Sequence, residues 1–281
     1  MSTGVLEIRK IKREELPLIR DFAPPDWNVD LEKMYGQHYD QPYFYPTVTM
    51  LGGEIAGTGI AMVHSNCAWI GTIIVKEEYR NRGIGNRITH HLMDHVTHKG
   101  IDAILLSASN AGLPIYQKIG FVTDSKYVFL KPGEARPVDA ASISPFGSGE
   151  YRRISPITGK DHLAILELDW LVSGEDRSGL LLHVLSTGFK YADDGIRGYY
   201  LPDFGKGLVI ANTEEAGLEL LRHKIVRERS SVWVPEANTA AIGLLDSMDY
   251  RATLTATRMF LHKNVYWDPK KVYARGSGAL G

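Results

Sequence analysis

Between Leu6 and Ile11 apolar and polar residues alternate, the period of an edge strand, and KREELPLIRDF then sets its apolar residues at helical spacing. Asp30 is placed to cap a second helix that runs to about Tyr35. The stretches 47–51 and 54–63 flank Gly52-Gly53, a pair suited to the positive φ angles of a tight hairpin turn. Residues 68–75, AWIGTIIV, are apolar almost throughout, which predicts a strand covered on both faces. Ile84, Ile88, Leu92 and Val96 recur at every fourth position, the core stripe of a helix that Gly100 ends. A strand from Ile101 to Ser107, a short helix from Leu113 to Lys118 and a strand from Val122 to Leu130 complete the series. The order β-α-α-β-β-β-α-β-α-β belongs to the α/β (α+β) class, a mixed sheet with helices on both faces.

The second half repeats this layout more faintly. YRRISPITGKDHLAILELD follows the pattern of LEIRKIKREELPLIRDF, and SVWVPEANTAAIGLLDSMDYRATLTATRMFL follows that of AILLSASNAGLPIYQKIGFVTDSKYVFL. Asn238 then falls opposite Ser109, and Tyr250 opposite Phe121. Duplication and divergence account for two matches in the same order better than coincidence does. Residues 131–150, KPGEARPVDAASISPFGSGE, lack hydrophobic period and read as a connector. The expected division is therefore 1–130, a linker at 131–150, and 151–281. The tail after Tyr273, ARGSGALG, is expected to fray.

A length of 281 residues suits two domains. Thirty-two Lys and Arg against 33 Asp and Glu argue against nucleic acid held through its phosphates. No apolar run reaches the length of a membrane span, and the first residues lack the apolar core of a secretory signal, so a cytoplasmic protein without a membrane partner is expected. The single cysteine, Cys67, rules out a disulfide framework within the chain and reads as a buried strand residue. His90, His91, His95 and His98 crowd one helix, and a polar exposed face is the expectation over a zinc site. No metal is predicted.

The chemistry concentrates in WIGTIIVKEEYRNRGIGNRI. A buried strand feeds a turn, then Arg80-x-x-Gly83-x-Gly85, then a helix. Glycines at a helix start leave backbone N–H groups open to an anion, and the positive end of the helix dipole adds to the attraction. The spacing lacks both the third glycine of a dinucleotide fingerprint and the Gly-Lys-Ser/Thr of a P-loop.

Val75-Lys-Glu-Glu-Tyr-Arg80-Asn-Arg-Gly83-Ile-Gly85 resembles the acetyl-CoA signature of the GNAT superfamily of N-acetyltransferases, Gln/Arg-x-x-Gly-x-Gly/Ala. Leu113-Pro-Ile-Tyr116-Gln-Lys-Ile-Gly120-Phe121 resembles that superfamily's second signature, a short helix bearing a tyrosine and ending in Gly-Phe. The resemblance covers residues 5–130. The whole chain resembles a subgroup in which a GNAT domain precedes a degenerate GNAT-like one, and Asp26-Trp27-Asn28 and Glu175-Asp176-Arg177-Ser178 match segments of that subgroup.

The resemblance implies a GNAT fold, a mostly antiparallel mixed sheet flanked by helices, and acetyl-CoA as co-substrate. Ile73, Ile74 and Val75 would pair with the pantetheine arm, and the amides of Arg80, Asn81, Arg82, Gly83, Ile84, Gly85 and Asn86 would hold the pyrophosphate. Ser109 and Asn110 would lie along the opening beyond the next strand. Tyr116 is the candidate general acid for the departing thiolate, although its ring also suits a packing role. The fourth strand offers Thr72 and no acid, so Asp26 and Asp30 are the acids nearest the expected substrate side; Asp26 is the candidate base, and Asp30 also reads as a helix cap. Glu77 and Glu78 read as solvated or capping residues. Trp27, Asn28 and Asp176 are candidate acceptor-binding residues, and Asp169-Trp170 with Glu175-Asp176-Arg177 would suit a cationic acceptor. The expected reaction is direct acetyl transfer to a small-molecule or peptide amine. A non-catalytic acyl-CoA sensor is the alternative.

Overall fold

The computed structural model describes residues 5–27, 29–133 and 153–280. The chain divides into two compact units, Met1–Leu106 with Phe260–Asn264, and Ser107–Met259 with Val265–Gly281.

In the first unit, β1 (Leu6–Lys10), β2 (Phe44–Leu51), β3 (Glu54–Val63) and β4 (Ala68–Val75) form antiparallel neighbours in that order. β1 lies at the edge, as its alternation predicts. Gly52 and Gly53 turn the β2–β3 hairpin at φ 62° and 88°. Arg13–Phe22 is a 3-10 stretch rather than the expected α-helix, with Pro17 inside it. Proline removes an amide donor from the α-helical ladder. Leu16 and Ile19 still reach the core. α1 (Leu31–His38) starts at Asp30, whose carboxylate accepts the Lys33 amide at 3.0 Å. α2 (Ile84–His98) buries Ile84, Ile88, Leu92 and Val96 against β3 and β4. Two glycines of β3 allow this close seat. A Cβ on Gly59 would stand 2.6 Å from Ile88 Cγ2, and one on Gly57 2.8 Å from the Ile74 carbonyl. β5 (Ala103–Ala108) follows α2.

The second unit takes up α3 (Leu113–Ile119) and β6 (Val122–Pro132), then the remaining elements: β7 (Ile154–Pro156), α4 (His162–Ser173), α5 (Ser178–Leu181), β8 (Phe189–Asp193), β9 (Gly195–Leu201), β10 (Leu208–Ala211), α6 (Glu214–Arg227), β11 (Val232–Pro235), α7 (Thr239–Ser247), β12 (Tyr250–His262) and β13 (Val272–Ala274). One sheet of this unit has the order β13-β10-β9-β8-β7. β6 lies between β12 and β11, so its neighbours come from the far end of the sequence. It pairs with β11 antiparallel from Val232↔Leu130 to Pro235↔Tyr127. Most of the connector lies outside the described residues.

Three expectations need correction. The tail is packed, not frayed: Arg275, Ala279 and Leu280 are buried, the Arg275 amide donates to the Trp233 carbonyl and the Lys206 amide to the Gly276 carbonyl. Strand β4 is covered on both faces only at its start, since Gly71, Thr72 and Ile73 are half-exposed. His91 and His95 do not face solvent with His90 and His98. The His95 ring stacks on Tyr45 with centroids 3.5 Å apart, and His91 Nε2 lies 3.2 Å from the Tyr45 hydroxyl.

Candidate active site

Strand β4 leads straight into the glycine motif, and its geometry opens toward it. Its register with β3 slips between Thr58 and Ile60, and Thr72 there has φ 52°. A bulge of this kind bends a strand and re-aims the side chains beyond it. β4 pairs with β5 only at Ala68↔Ile104 and Trp69↔Leu105. Ile73, Ile74 and Val75 therefore lie past that pairing, and among the described residues β3 alone pairs with this end, through Thr58↔Ile74 and Gly57↔Val75. The bulge was missed from sequence, because Thr72 sits in an unbroken apolar run. Gly57 and Gly59 within a strand pattern were the available signal for a close approach.

After β4, Glu77–Tyr79 makes one 3-10 turn, and the Arg80 amide donates to the Glu77 carbonyl at 3.2 Å. Arg80 is therefore already committed. The next six amides, Asn81 to Asn86, donate to no carbonyl or side chain among the described residues; the first amide used again is that of Arg87, to the Gly83 carbonyl. Asn81 and Gly83 have φ 61° and 73°, the left-handed turns that bring these donors to one side. A Cβ on Gly83 would meet nothing within 4 Å, and one on Gly85 only Val75 Cγ2 at 3.8 Å. The space above both glycines is open, so packing does not explain them.

The charge of the motif matches an anion. α2 has no acid in its first turn and no side-chain cap. Arg80 Nε donates back to the Val75 carbonyl at 3.2 Å, and Arg82 Nη2 to the Glu78 carbonyl at 3.1 Å, which hold both guanidinium groups along the turn. Glu77 and Glu78 are exposed. Thr89 Oγ1 bonds to the Gly85 carbonyl at 2.9 Å and ties down the first turn.

In the second unit, the Ser109 carbonyl accepts the Gly112 and Leu113 amides, and its hydroxyl accepts the Gly112 amide at 3.2 Å. Ser109 thus closes the turn that precedes α3, whose N-cap is Gly112 with no side-chain cap, whereas Asn238 caps α7 directly by accepting the Ala241 amide at 3.0 Å. Asn110 is exposed. Tyr116 packs edge-on against Phe121 with centroids 5.9 Å apart, and Gly112 leaves room for its ring. Burial pushes its phenol up to about 12. It is fully protonated at neutral pH, the form a proton donor needs.

The acceptor-side candidates fare less evenly. Trp27 is half-buried in the 3-10 turn Pro25–Trp27, while the Asp26 side chain and Asn28 lie outside the described residues. Asp176 accepts the Ser178 hydroxyl at 2.8 Å, a local turn bond. The segment expected to meet a cation is closed on itself: Arg177 Nε and Nη2 donate to Asp169 at 2.9 and 2.7 Å, and all but Trp170 and Asp176 of this set are buried. The Tyr199 hydroxyl donates to the same carboxylate. A carboxylate that already holds a guanidinium has no charge left for an acceptor.

The profile of the acetyltransferase (GNAT) family matches residues 7–121, which span the open strand, the cradle and the Tyr116 helix. The match covers less than half of the chain, and over residues 7–121 the chain is similar to the GNAT acetyltransferase family. It is 24% identical over 269 residues to the uncharacterized N-acetyltransferase YitH of Bacillus subtilis (strain 168), covering 92% of this chain and 90% of that protein. Among solved structures it resembles a provisionally assigned acetyltransferase from Pyrococcus horikoshii, with TM-score 0.80 and 21% identity over 100% of this chain and 97% of the other. A GCN5-related N-acetyltransferase from Sphaerobacter thermophilus matches at TM-score 0.61 and 12% identity over 97% of both. These likenesses show a shared fold along the whole length. The GNAT family is one of acetyl-transferring enzymes that use acetyl-CoA. No helix among the described residues is long and apolar enough to cross a membrane.

Proposed function

We propose that the chain binds acetyl-CoA at the turn before α2 and transfers its acetyl group directly to a primary amine. The observation that carries this is the run of six unclaimed amides, Asn81 to Asn86, at a helix start without a cap. Such a row suits a pyrophosphate, with Arg80 and Arg82 adding charge. The open positions above Gly83 and Gly85 fit the close approach of that group. Ile73, Ile74 and Val75 offer their free edge to the pantetheine amides. Ser109 and Asn110 are assigned to the same arm.

Acetyl-CoA supplies the acetyl group as a thioester, which the amine attacks. Tyr116 holds a proton at its phenol oxygen and gives it up as the thiolate departs. Asp26 is assigned the proton of the attacking ammonium, and Trp27, Asn28 and Asp176 the acceptor. Functionally, residues 1–130 form the catalytic domain, 131–150 the linker and 151–281 a degenerate GNAT-like domain. The partner is a small-molecule or peptide amine in the cytoplasm, with neither nucleic acid nor membrane involved.

Thiol release in the presence of an amine panel tests this. Tyr116→Phe should keep acetyl-CoA affinity within a few-fold and lower kcat roughly 100- to 10,000-fold, the range of general acid–base catalysis. Unchanged kcat would end the acid role. The sensor reading has one feature in its favour, the half-exposed Thr72 where strand β4 offers no acid. Tight acetyl-CoA binding with no thiol release across the whole panel would favour it.

A further inference from the structure

Strand β6 begins two residues after the helix that carries Tyr116, and its two ends are held differently. Its later part is paired with β11 from Tyr127 to Leu130, and the Glu236 amide adds a bond to the Lys126 carbonyl at 2.9 Å. The first residues, Val122 to Ser125, lie beyond the β11 register, and the sheet neighbour of β6 on its other side is β12, which carries Arg258. There one carboxylate gathers three donors. Asp124 Oδ2 accepts Arg258 Nη1 at 2.7 Å, Trp267 Nε1 at 3.0 Å and the Ser125 hydroxyl at 3.0 Å.

Arg258, on β12, is almost wholly buried, and its guanidinium lies 4.9 Å from the centre of the Trp267 ring. The same guanidinium reaches the Val265 carbonyl at 3.4 Å. A charge-assisted bond in such a site is directional and strong. It is also costly to bury, so a packing role alone would be met as well by apolar residues of the same volume. Three residues before Asp124, Phe121 is buried and packs edge-on against Tyr116, and the Phe121 amide donates to the Tyr116 carbonyl at 3.0 Å. The chain from the carboxylate to the phenol ring is thus short and rigid.

We propose that Asp124, clamped by Arg258 and Trp267 from the C-terminal part of the chain, is a positioning residue that fixes the start of β6 and through Phe121 the ring of Tyr116. The catalytic consequence rests on the acid role assigned to Tyr116; the clamp itself does not. Arg258 and Trp267 would then contribute to the reaction without touching substrate themselves.

The test is fluorine NMR on the full chain grown with 3-fluorotyrosine, with Tyr116→Phe identifying one resonance among the 14 tyrosines. Asp124→Asn weakens the clamp while keeping its shape. Trp267→Phe removes one N–H donor and leaves the Arg258 bond, which guards against a variant that does not fold. In either folded variant the Tyr116 resonance should move toward that of an exposed fluorotyrosine, and its phenol should titrate at lower pH than in the parent. An unmoved Tyr116 resonance in a folded variant, or loss of the folded state in both, overturns the clamp. Unchanged thiol release in Tyr116→Phe would remove the acid role and leave the clamp standing.

Discussion

At the start of α2, capped by Gly83, the amides of Asn81 to Asn86 have no partner among the described residues, whereas α6, which also follows a buried strand and a turn, begins on Thr213 and settles its own end. The Thr213 hydroxyl accepts the Ala216 amide at 3.4 Å, and Glu214 and Glu215 face the positive end of the dipole. A threonine cap is worth about 1 kcal/mol over alanine. α2 forgoes that stabilisation, and α6 takes it together with two carboxylates that would repel a phosphate. The first helix start leaves its donors unused among the described residues, and the second is complete as it stands.

The comparison breaks first if acetyl-CoA does not follow the open end. Gly83→Asp puts a carboxylate at the cradle and an L side chain at φ 73°, so calorimetry should find binding abolished, against one equivalent per chain for the parent. Two equivalents for the parent would mean that α6 is not closed. Gly85→Ala is a finer probe, because its Cβ would meet only Val75 Cγ2 at 3.8 Å. The melting temperature should hold while Kd rises about tenfold, equivalent to roughly 1.4 kcal/mol. An unchanged Kd would show that nothing approaches the backbone there. Thr213→Ala should do the reverse, costing about 1 kcal/mol of stability and leaving Kd alone.

A further effect concerns what the two helices share. His95 on α2 stacks on Tyr45, and His223 on α6 packs against Phe189 with centroids 4.7 Å apart. Burial pushes both imidazoles down to about 4, with cationic neighbours adding to the shift. An unfolded histidine titrates near 6.5. Between these values the unfolded chain binds more protons, so stability should fall as pH drops from about 6.5 to about 4. His95→Phe and His223→Phe should each flatten part of that fall in melting curves, and equal slopes in parent and variants would exclude these rings as its source.

What the sequence disclosed was local. The stripe from Ile84 to Val96, the Gly52-Gly53 turn and the Arg80–Gly85 motif each declare themselves within a few residues, and each took the expected place. The 3-10 stretch at Pro17 was legible as well, had the proline been weighed against the apolar spacing. The misreadings lie where a distant partner decides. Arg177 turned inward because Asp169 of α4 meets it, and Tyr199 of β9 donates to the same carboxylate. His91 and His95 look polar along their own helix, and Tyr45 of β2 makes them part of a stack. Nothing near Asp124 announces that Arg258 and Trp267 will reach it.

The place of β6 between β11 and β12 also has a consequence for the order in which the protein can be made. On a ribosome, β6 emerges about a hundred residues before the strands that pair with it, roughly five to twenty seconds at common elongation rates. During that interval both its edges lie unpaired, the condition in which nascent chains find wrong partners. The Tyr116 helix leads directly into that waiting strand, so its surroundings are complete only once β11 and β12 have been made.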